Sequence, residues 1–508
     1  KRAFLNGQRT AFVCGDTSLT SSDFARRTTQ AASNLLRLGV RKGDRVAILL
    51  VNSVEFMEVL LGCAKIGAIT IPINVRLAGP EIGYILADSG ADVFVFHEPL
   101  AAAAVSALAE PGVRVRHTVR AGGAPADGEI AYPDLLSGGA PEPLDSDVEG
   151  RDAAFIMYTS GTTGRPKGAI LTHDNLLWNA VNVLSAEQGL TGSDVTVAVA
   201  PMFHIGGLGV HTLPLLYVGG TSVILPSFNP VSTLKAMAES RATVQFMVPA
   251  MWSALTQVPD FDSYDLSALR LAMGGGAPMP LTVIDFMQQR GVPFTEGFGM
   301  TETAPMVSVL DAANITTRAG SIGRVAMHVD ARIVDADDRD VPADTVGELL
   351  VRGPNVFVGY WMKPATTAEA FRGGWFHTGD LGRIDADGYI TLVDRKKDMI
   401  ISGGENVYPI EVEQVLFRHP GVLDAAVVGG PDDKWGERVV AVVVADPAAE
   451  QEPSADELIA WCRERLAHFK CPREVHLLPE LPRNATGKLL KTELRKRFTG
   501  VEGGVVQR

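Results

Sequence analysis

The stretch YTSGTTGRPKGAILTH, residues 158–173, gathers three glycines, four threonines and one serine around Arg165, Pro166 and Lys167. Glycine allows close backbone approach and positive φ, and successive amides form a nest for phosphate oxygens. Hydroxyls and a lysine add donors, so the chemistry on offer is anion binding. The stretch is not the Gly-x-x-x-x-Gly-Lys-Ser/Thr loop, because Lys167 follows Pro166 and precedes Gly168. A turn-rich surface loop draws on the same residues, and the other chemistry-bearing segments must decide.

Six further segments place polar or glycine-rich clusters after apolar runs: PMFHIGG (201–207), GGGAPMP (274–280), EGFGMTET (296–303), HTGD (377–380), VDRKKDMIISGGENVYP (393–409) and PRNATGK (482–488). In doubly wound sheets ligands bind where strands end. Each segment also has a plain structural reading. HTGD serves as a capped turn, GGGAPMP as a strand-to-helix connection, and Lys488 as one solvated lysine.

Strands alternating with helices would present such clusters on one edge of a parallel sheet. Thr20 and Asp23 predict a helix N-terminus before DFARRTTQAASNLLRLG, with Gly39 past its end. RVAILLV reads as a buried strand, SVEFMEVLLGCAKIG as a helix stopped by Gly67, and AITIPIN as a strand. ADVFVF, TSVILP, ATVQFMV and LRLAMGG continue the series, whereas residues 121–150 read as a Pro/Gly/Asp-rich loop. After about residue 320, short strands between Asp/Gly turns predict an antiparallel, barrel-like region. From about 395 a compact α+β segment follows. The expected fold is α/β: a large N-terminal domain over 1–394, made of α/β subdomains and a small antiparallel barrel-like part at about 321–394, then a small mobile α+β C-terminal domain over 395–508.

The formal net charge of −13 argues against a nucleic-acid-coating role. No apolar run reaches the length of a membrane span. No signal-peptide pattern opens the chain, and the four cysteines form no C-x-x-C pair, which fits a cytoplasmic protein.

In their order, these motifs together with the opening one resemble those of the adenylate-forming enzymes, which include acyl-CoA synthetases, firefly-type luciferases and peptide-synthetase adenylation domains. The likeness covers nearly the whole chain and is nearest to bacterial fatty-acyl-CoA synthetases in SGGENVYP and PRNATGKLLK. It implies that a carboxylate and ATP give acyl-AMP and pyrophosphate, after which the CoA thiol gives acyl-CoA and AMP.

By that resemblance Thr159, Ser160, Gly161, Thr162, Thr163, Gly164 and Lys167 cradle the leaving pyrophosphate, where donors meet developing charge. Glu302, with Thr159, holds Mg²⁺, and Thr301 touches the α-phosphate. Adenine lies between the strand of Glu296, Gly297, Phe298, Gly299 and Met300 and the segment Gly275, Gly276, Ala277 and Pro278. Phe298 keeps a stacking face where many relatives carry Tyr. Asp380 accepts the ribose hydroxyls and Arg395 reaches the same sugar. Lys488 bridges the carboxylate and the α-phosphate, two anions that repel as they approach. Lys397 is the hinge that swings Lys488 away, and Ser402, Gly403, Gly404 and Asn406 then line the pantetheine channel. Plant ligases carry lysines near Gly403 and this sequence does not, so it names no holder for the nucleotide end of CoA.

The acyl pocket is expected from His204, Gly206, Gly207, Phe246, Val248 and Ala304, with Gly209 and its neighbouring glycines leaving room. These stretches hold no Arg or Lys, and burying a second carboxylate there unpaired is prohibitively costly. The expected acid is therefore apolar: a medium- to long-chain fatty acid, or a bulky aryl or steroid side-chain acid. ATP and CoA are the co-substrates and Mg²⁺ the metal, and a homo-oligomer is compatible with the sequence. The alternatives are an adenylating enzyme that loads a carrier protein in trans, a luciferase-like oxygenase, and a non-catalytic nucleotide-binding relative.

Overall fold

Thr20 opens the helix Ser21–Arg37: its hydroxyl accepts from the Asp23 amide at 3.1 Å, and the Asp23 carboxylate accepts from the Thr20 amide. This is the reciprocal cap expected from the sequence. The next helix, Val54–Ile66, starts at a Ser53 cap and ends at Gly67, whose φ of 72° suits a residue without Cβ. The computed structural model describes residues 2–138, 144, 146–159, 166–186, 189–395, 398–402, 405–432, 435–447, 449, 451–483 and 489–499. By internal contact the chain divides into two units, Lys1–Asp330 with Val351–Phe376, and Ala331–Leu350 with His377–Arg508.

In the first unit, the described residues form a sheet in the order Gly359–Tyr360, Lys167–Thr172, Ala153–Thr159, Ile69–Pro72, Arg45–Leu49, Val93–His97, His117–Ala121, Ile130–Ala131. From Ala153–Thr159 onward neighbours run parallel, and helices follow Arg45–Leu49, Ile69–Pro72 and Val93–His97. Their apolar runs, such as Val46–Leu50, are buried on both faces. The first three strands run antiparallel to one another. A second sheet orders Val244–Met247, Leu271–Gly275, Phe294–Gly299, Met306–Leu310 and Ser321–Val325, parallel in its first three strands and antiparallel after. A third joins Val195–Ala198, Thr221–Ile224, Thr10–Cys14 and Thr17–Thr20.

The strands Ile390–Arg395, Phe376–Ile384, Gly347–Arg352 and Asp330–Val334, which apart from a few end residues belong to the second unit, lie side by side in that order. Its other sheet centres on Gly436–Ala445, flanked by Val422–Asp432 and Ile400–Ser402. Val427, Val439, Ala441 and Val443 pack on one face with Val412 and Leu458, while Val428, Val440 and Val442 pack on the other with Leu494. Both faces are covered, which is why VVAVVVA reads as an unbroken apolar run. The helix Lys491–Thr499, unread in the sequence, supplies Leu494.

Two expectations change. Residues 121–150 are not loop throughout. Ile130–Ala131 adds a strand and Tyr132–Leu135 a helical turn, because Tyr132 and Leu135 are buried and the Tyr132 hydroxyl bonds the buried Glu58 carboxylate at 2.5 Å. HTGD is not a turn after a strand but lies inside Phe376–Ile384, where Gly379 takes a φ of 72°. Among the described residues no helix is long and apolar enough to cross a membrane.

Candidate active site

The opening motif bridges a β-hairpin rather than a strand and a helix. Ala153–Thr159 and Lys167–Thr172 pair antiparallel, with Thr159 opposite Lys167 and Tyr158 opposite Gly168. Residues 160–165, holding Ser160, Gly161, Thr162, Thr163 and Gly164, lie outside the described residues. The ladder continues on the other side to Gly359–Tyr360, with Tyr360 opposite Ala169.

That register brings three predicted or newly found side chains together. The Lys167 ammonium stands over the Tyr360 ring, 5.4 Å from its centroid, and the Tyr360 hydroxyl donates to Glu302 Oε1 at 3.0 Å. Burial, then the Glu302 charge and hydrogen bond, push the Tyr360 phenol well above its ordinary pKa. It therefore remains a donor at any working pH. Glu302 sits in the turn Thr301–Thr303, which follows the strand Phe294–Gly299. That turn is fixed from the same direction: the Phe357 amide donates to the Glu302 carbonyl at 2.8 Å. The buried Asn355 donates to the carbonyls of Thr303 and Met306, both at 2.7 Å.

The segments expected to flank the purine are set side by side by parallel pairing. Gly274 lies opposite Glu296 and Gly275 opposite Gly297, while Phe298 faces Ser308 on the antiparallel side. Gly276, Ala277 and Pro278 are exposed beyond the strand end. Glu296 Oε1 accepts from the Met279 amide at 3.3 Å. Burial nevertheless raises its carboxyl to a pKa of about 7. Gly299 and Met300 complete the turn, the Met300 amide bonding the Pro305 carbonyl and the Thr303 hydroxyl, each at 3.1 Å.

The acyl-side residues also meet. A Cβ built on Gly206 would lie 3.6 Å from Phe246 Cε1, and one on Gly275 would lie 3.3 Å from Phe246 Cε2. The Phe246 ring thus stands between the His204 turn and the end of the strand Leu271–Gly275, with Val248 3.8 Å from a Cβ on Gly276. His204 Nε2 is buried with no hydrogen-bond partner among the described residues. Burial first, and the Arg76 charge second, lower the His204 pKa to about 4. The idea that several glycines here open space needs correction. A Cβ on Gly207 would stand 2.3 Å from the Pro201 carbonyl oxygen, and one on Gly209 would stand 2.5 Å from Pro305 Cδ and 2.8 Å from the Ala304 oxygen. Those two glycines allow backbone to approach backbone, and only Gly206 borders open contact with Phe246.

In the second unit Asp380 is buried and lies directly opposite Arg395 in the antiparallel ladder. The Asp380 amide donates to the Thr378 hydroxyl at 3.1 Å, and that hydroxyl donates to the Leu349 carbonyl at 2.7 Å. Ser402 is buried, pairing with Glu405 and Gly436. Lys397, Gly403, Gly404 and Lys488 lie outside the described residues, as do the side chains of Arg395 and Asn406.

Residues 1–361 match the family model of the AMP-binding enzymes, and residues 411–488 match the model of the AMP-binding enzyme C-terminal domain. The chain belongs to the AMP-binding, adenylate-forming enzymes. Among its relatives, a feruloyl-CoA synthase of Amycolatopsis sp is 45% identical over 98% of both chains. A long-chain-fatty-acid–CoA ligase of Mycobacterium tuberculosis is 38% identical over 98% of this chain and 97% of that one. A solved anthranilate CoA ligase in complex with anthranoyl-AMP superposes with a TM-score of 0.88 at 31% identity, over 98% of this chain and 95% of that one.

Two residues that this arrangement brings in carry no motif in the sequence. Tyr360 lies 58 residues from Glu302, and only the aromatic pair Tyr360-Trp361 marks the place in sequence. Asn179, buried in a helix, donates to the Gly209 carbonyl at 2.8 Å and accepts from the Met306 amide at 3.0 Å. It ties the segment of Gly209 to the strand after Glu302, with no sequence signal beyond an asparagine on an apolar helix face.

Proposed function

We propose that this chain activates an aryl-bearing carboxylic acid, of the hydroxycinnamate or aryl-carboxylate kind, to its CoA thioester. The coarser activity, ATP-dependent and AMP-forming acyl-CoA ligation, follows from the family and from relatives matched along their whole length. The observation that carries the finer reading is the 45% identity to a feruloyl-CoA synthase across 98% of both chains. The likeness to an anthranilate ligase supports it, as does the flat Phe246 ring set between Gly206 and Gly275. Aromatic rings gain from stacking or edge contact beyond the area they bury. Of the apolar acids expected from sequence, this reading favours the aryl class over the fatty acids.

In the first half-reaction a carboxylate oxygen of the acid bonds to the α-phosphorus of ATP and the bond to pyrophosphate breaks. Lys167 and the donors of residues 159–164 meet the charge that develops on pyrophosphate. Glu302 and the Thr159 hydroxyl offer the hard oxygen donors that Mg²⁺ favours beside substrate phosphates. Bound there, Mg²⁺ would neutralise phosphate charge. Tyr360 aims the Glu302 carboxylate, and His204, neutral above about pH 4, can present Nε2 as a donor to the acid. Asp380 and Arg395 hold the ribose, and Lys488 offsets repulsion between the two anions. In the second half-reaction the CoA sulfur bonds to the acyl carbon, AMP leaves, and the thiol proton is released. The domain beginning at about residue 395 turns about Lys397, removing Lys488 and bringing Ser402 and Asn406 to the pantetheine arm.

The test is product analysis after incubation with ATP, Mg²⁺, CoA and a panel of acids. Acyl-CoA with equimolar AMP and pyrophosphate from an aryl acid is expected. AMP without a CoA thioester would favour the carrier-loading alternative, and tight ATP binding without turnover would favour the non-catalytic one.

A further inference from the structure

The helix Gly79–Ser89 lies outside every motif above, yet it touches both ends of the hairpin that carries the opening stretch. Tyr84 and Asp88 are four residues apart and so share one helix face. The Tyr84 hydroxyl donates to the Pro166 carbonyl at 3.1 Å, immediately before Lys167. Asp88 Oδ2 accepts from the Tyr158 hydroxyl at 2.7 Å, immediately before Thr159. The same residue reaches the Tyr360 arm. Its carbonyl accepts from the Trp361 indole at 3.2 Å, and its Oδ1 lies 3.6 Å from the Lys363 ammonium. Trp361 also bonds the Gly168 carbonyl through its amide at 2.7 Å.

Tyr84 and Asp88 therefore hold the two strand ends between which residues 160–165 run, and Asp88 also fixes the arm that presents Tyr360 to Glu302. We propose that Tyr84 and Asp88 are positioning residues for the ATP half-reaction, setting the distance of Thr159 and Lys167 from the Glu302 carboxylate. This rests on the reading of residues 159–167 as the pyrophosphate cradle. It concerns adenylation alone, because pyrophosphate has left before CoA reacts.

The test separates the two half-reactions in full-length Asp88→Ala, Tyr158→Phe and Tyr84→Phe. Acid-dependent exchange of labelled pyrophosphate into ATP reads the first, and thioester formation from preformed acyl-adenylate and CoA reads the second. In Asp88→Ala exchange should fall about tenfold, the scale for one hydrogen bond to a charged group. The loss should show as a raised KM for ATP at an unchanged KM for the acid, with the second half-reaction at its wild-type rate. Asp88→Asn, which keeps an acceptor for Tyr158, should recover part of the exchange. If Asp88→Ala does not fold, Tyr158→Phe removes the same bond from the other side and should shift the KM for ATP alone. Equal losses in both half-reactions, or exchange unchanged in folded variants, would overturn the inference while leaving the proposed function standing. Wild-type protein without exchange for any acid would instead sink the cradle reading, and this inference with it.

Discussion

The Tyr360 hydroxyl donates to Glu302 Oε1 at 3.0 Å, and the same ring lies beneath the Lys167 ammonium. One side chain thus links the strand that carries Lys167 to the turn that carries Glu302. Tyr360→Phe keeps the ring and loses the donor. Hydrogen bonds to charged groups contribute about 1.5–3 kcal/mol, so adenylation should fall roughly tenfold or more. The loss should appear as a higher Mg²⁺ and ATP requirement in pyrophosphate exchange. An unchanged Mg²⁺ dependence would remove Tyr360 from the site.

Gly207 and Gly206 are adjacent and should respond in opposite ways. Gly207→Ala forces a methyl against the Pro201 and Ala200 carbonyls, and overpacking of this kind costs about 1–3 kcal/mol. It should lower the Tm measurably. Gly206→Ala meets only the Phe246 ring at ordinary contact distance, so it should spare stability and raise the KM for the acid. Equal Tm values for the two variants would contradict this division.

Glu296 gives a pH signature. Its folded pKa is raised from 4.5 to about 7, chiefly by burial. The protonated carboxyl therefore favours the folded state below about pH 4.5, and that contribution disappears as pH rises through about 7. The shift corresponds to about 3 kcal/mol at most. Denaturant unfolding of the ligand-free protein at pH 5 and pH 8 should show a loss in the wild type that is smaller in Glu296→Gln. Parallel pH dependence in the two proteins would show that Glu296 titrates normally.

Lys488 and Lys397 should divide the half-reactions. Lys488→Ala is expected to slow adenylation about 10²–10³-fold, the scale for removing one charge-stabilising group, while sparing thioester formation from acyl-AMP. Lys397→Pro should do the reverse, since proline fixes φ in a residue whose backbone must turn. Pyrophosphate exchange and CoA-dependent turnover falling together in both variants would rule out a domain swing about Lys397.

Local chemistry made much of this fold readable. The Thr20–Asp23 cap, the Gly67 stop and the apolar strands from Arg45 to Gly275 depend on neighbours a few residues away. The opposed pair Asp380 and Arg395 was legible as two motif positions, but their ladder register was not. What sequence reading missed depends on distant partners. Trp361 bonds Asp88 across 273 residues and Tyr84 bonds Pro166 across 82, so no periodicity announces either. Tyr132–Leu135 looked like loop because its burial comes from Glu58, far upstream. The glycines near His204 were ambiguous because sequence cannot tell whether a missing Cβ makes room for a ligand or for backbone.

The most direct measurement is kcat/KM for CoA-thioester formation across hydroxycinnamates, benzoates, octanoate, palmitate and malonate under one set of conditions. An aryl acid should exceed every straight-chain acid by at least about tenfold, a difference of about 1.4 kcal/mol in transition-state binding, with malonate lowest. A maximum at palmitate or octanoate, with the cinnamates near background, would contradict the aryl reading.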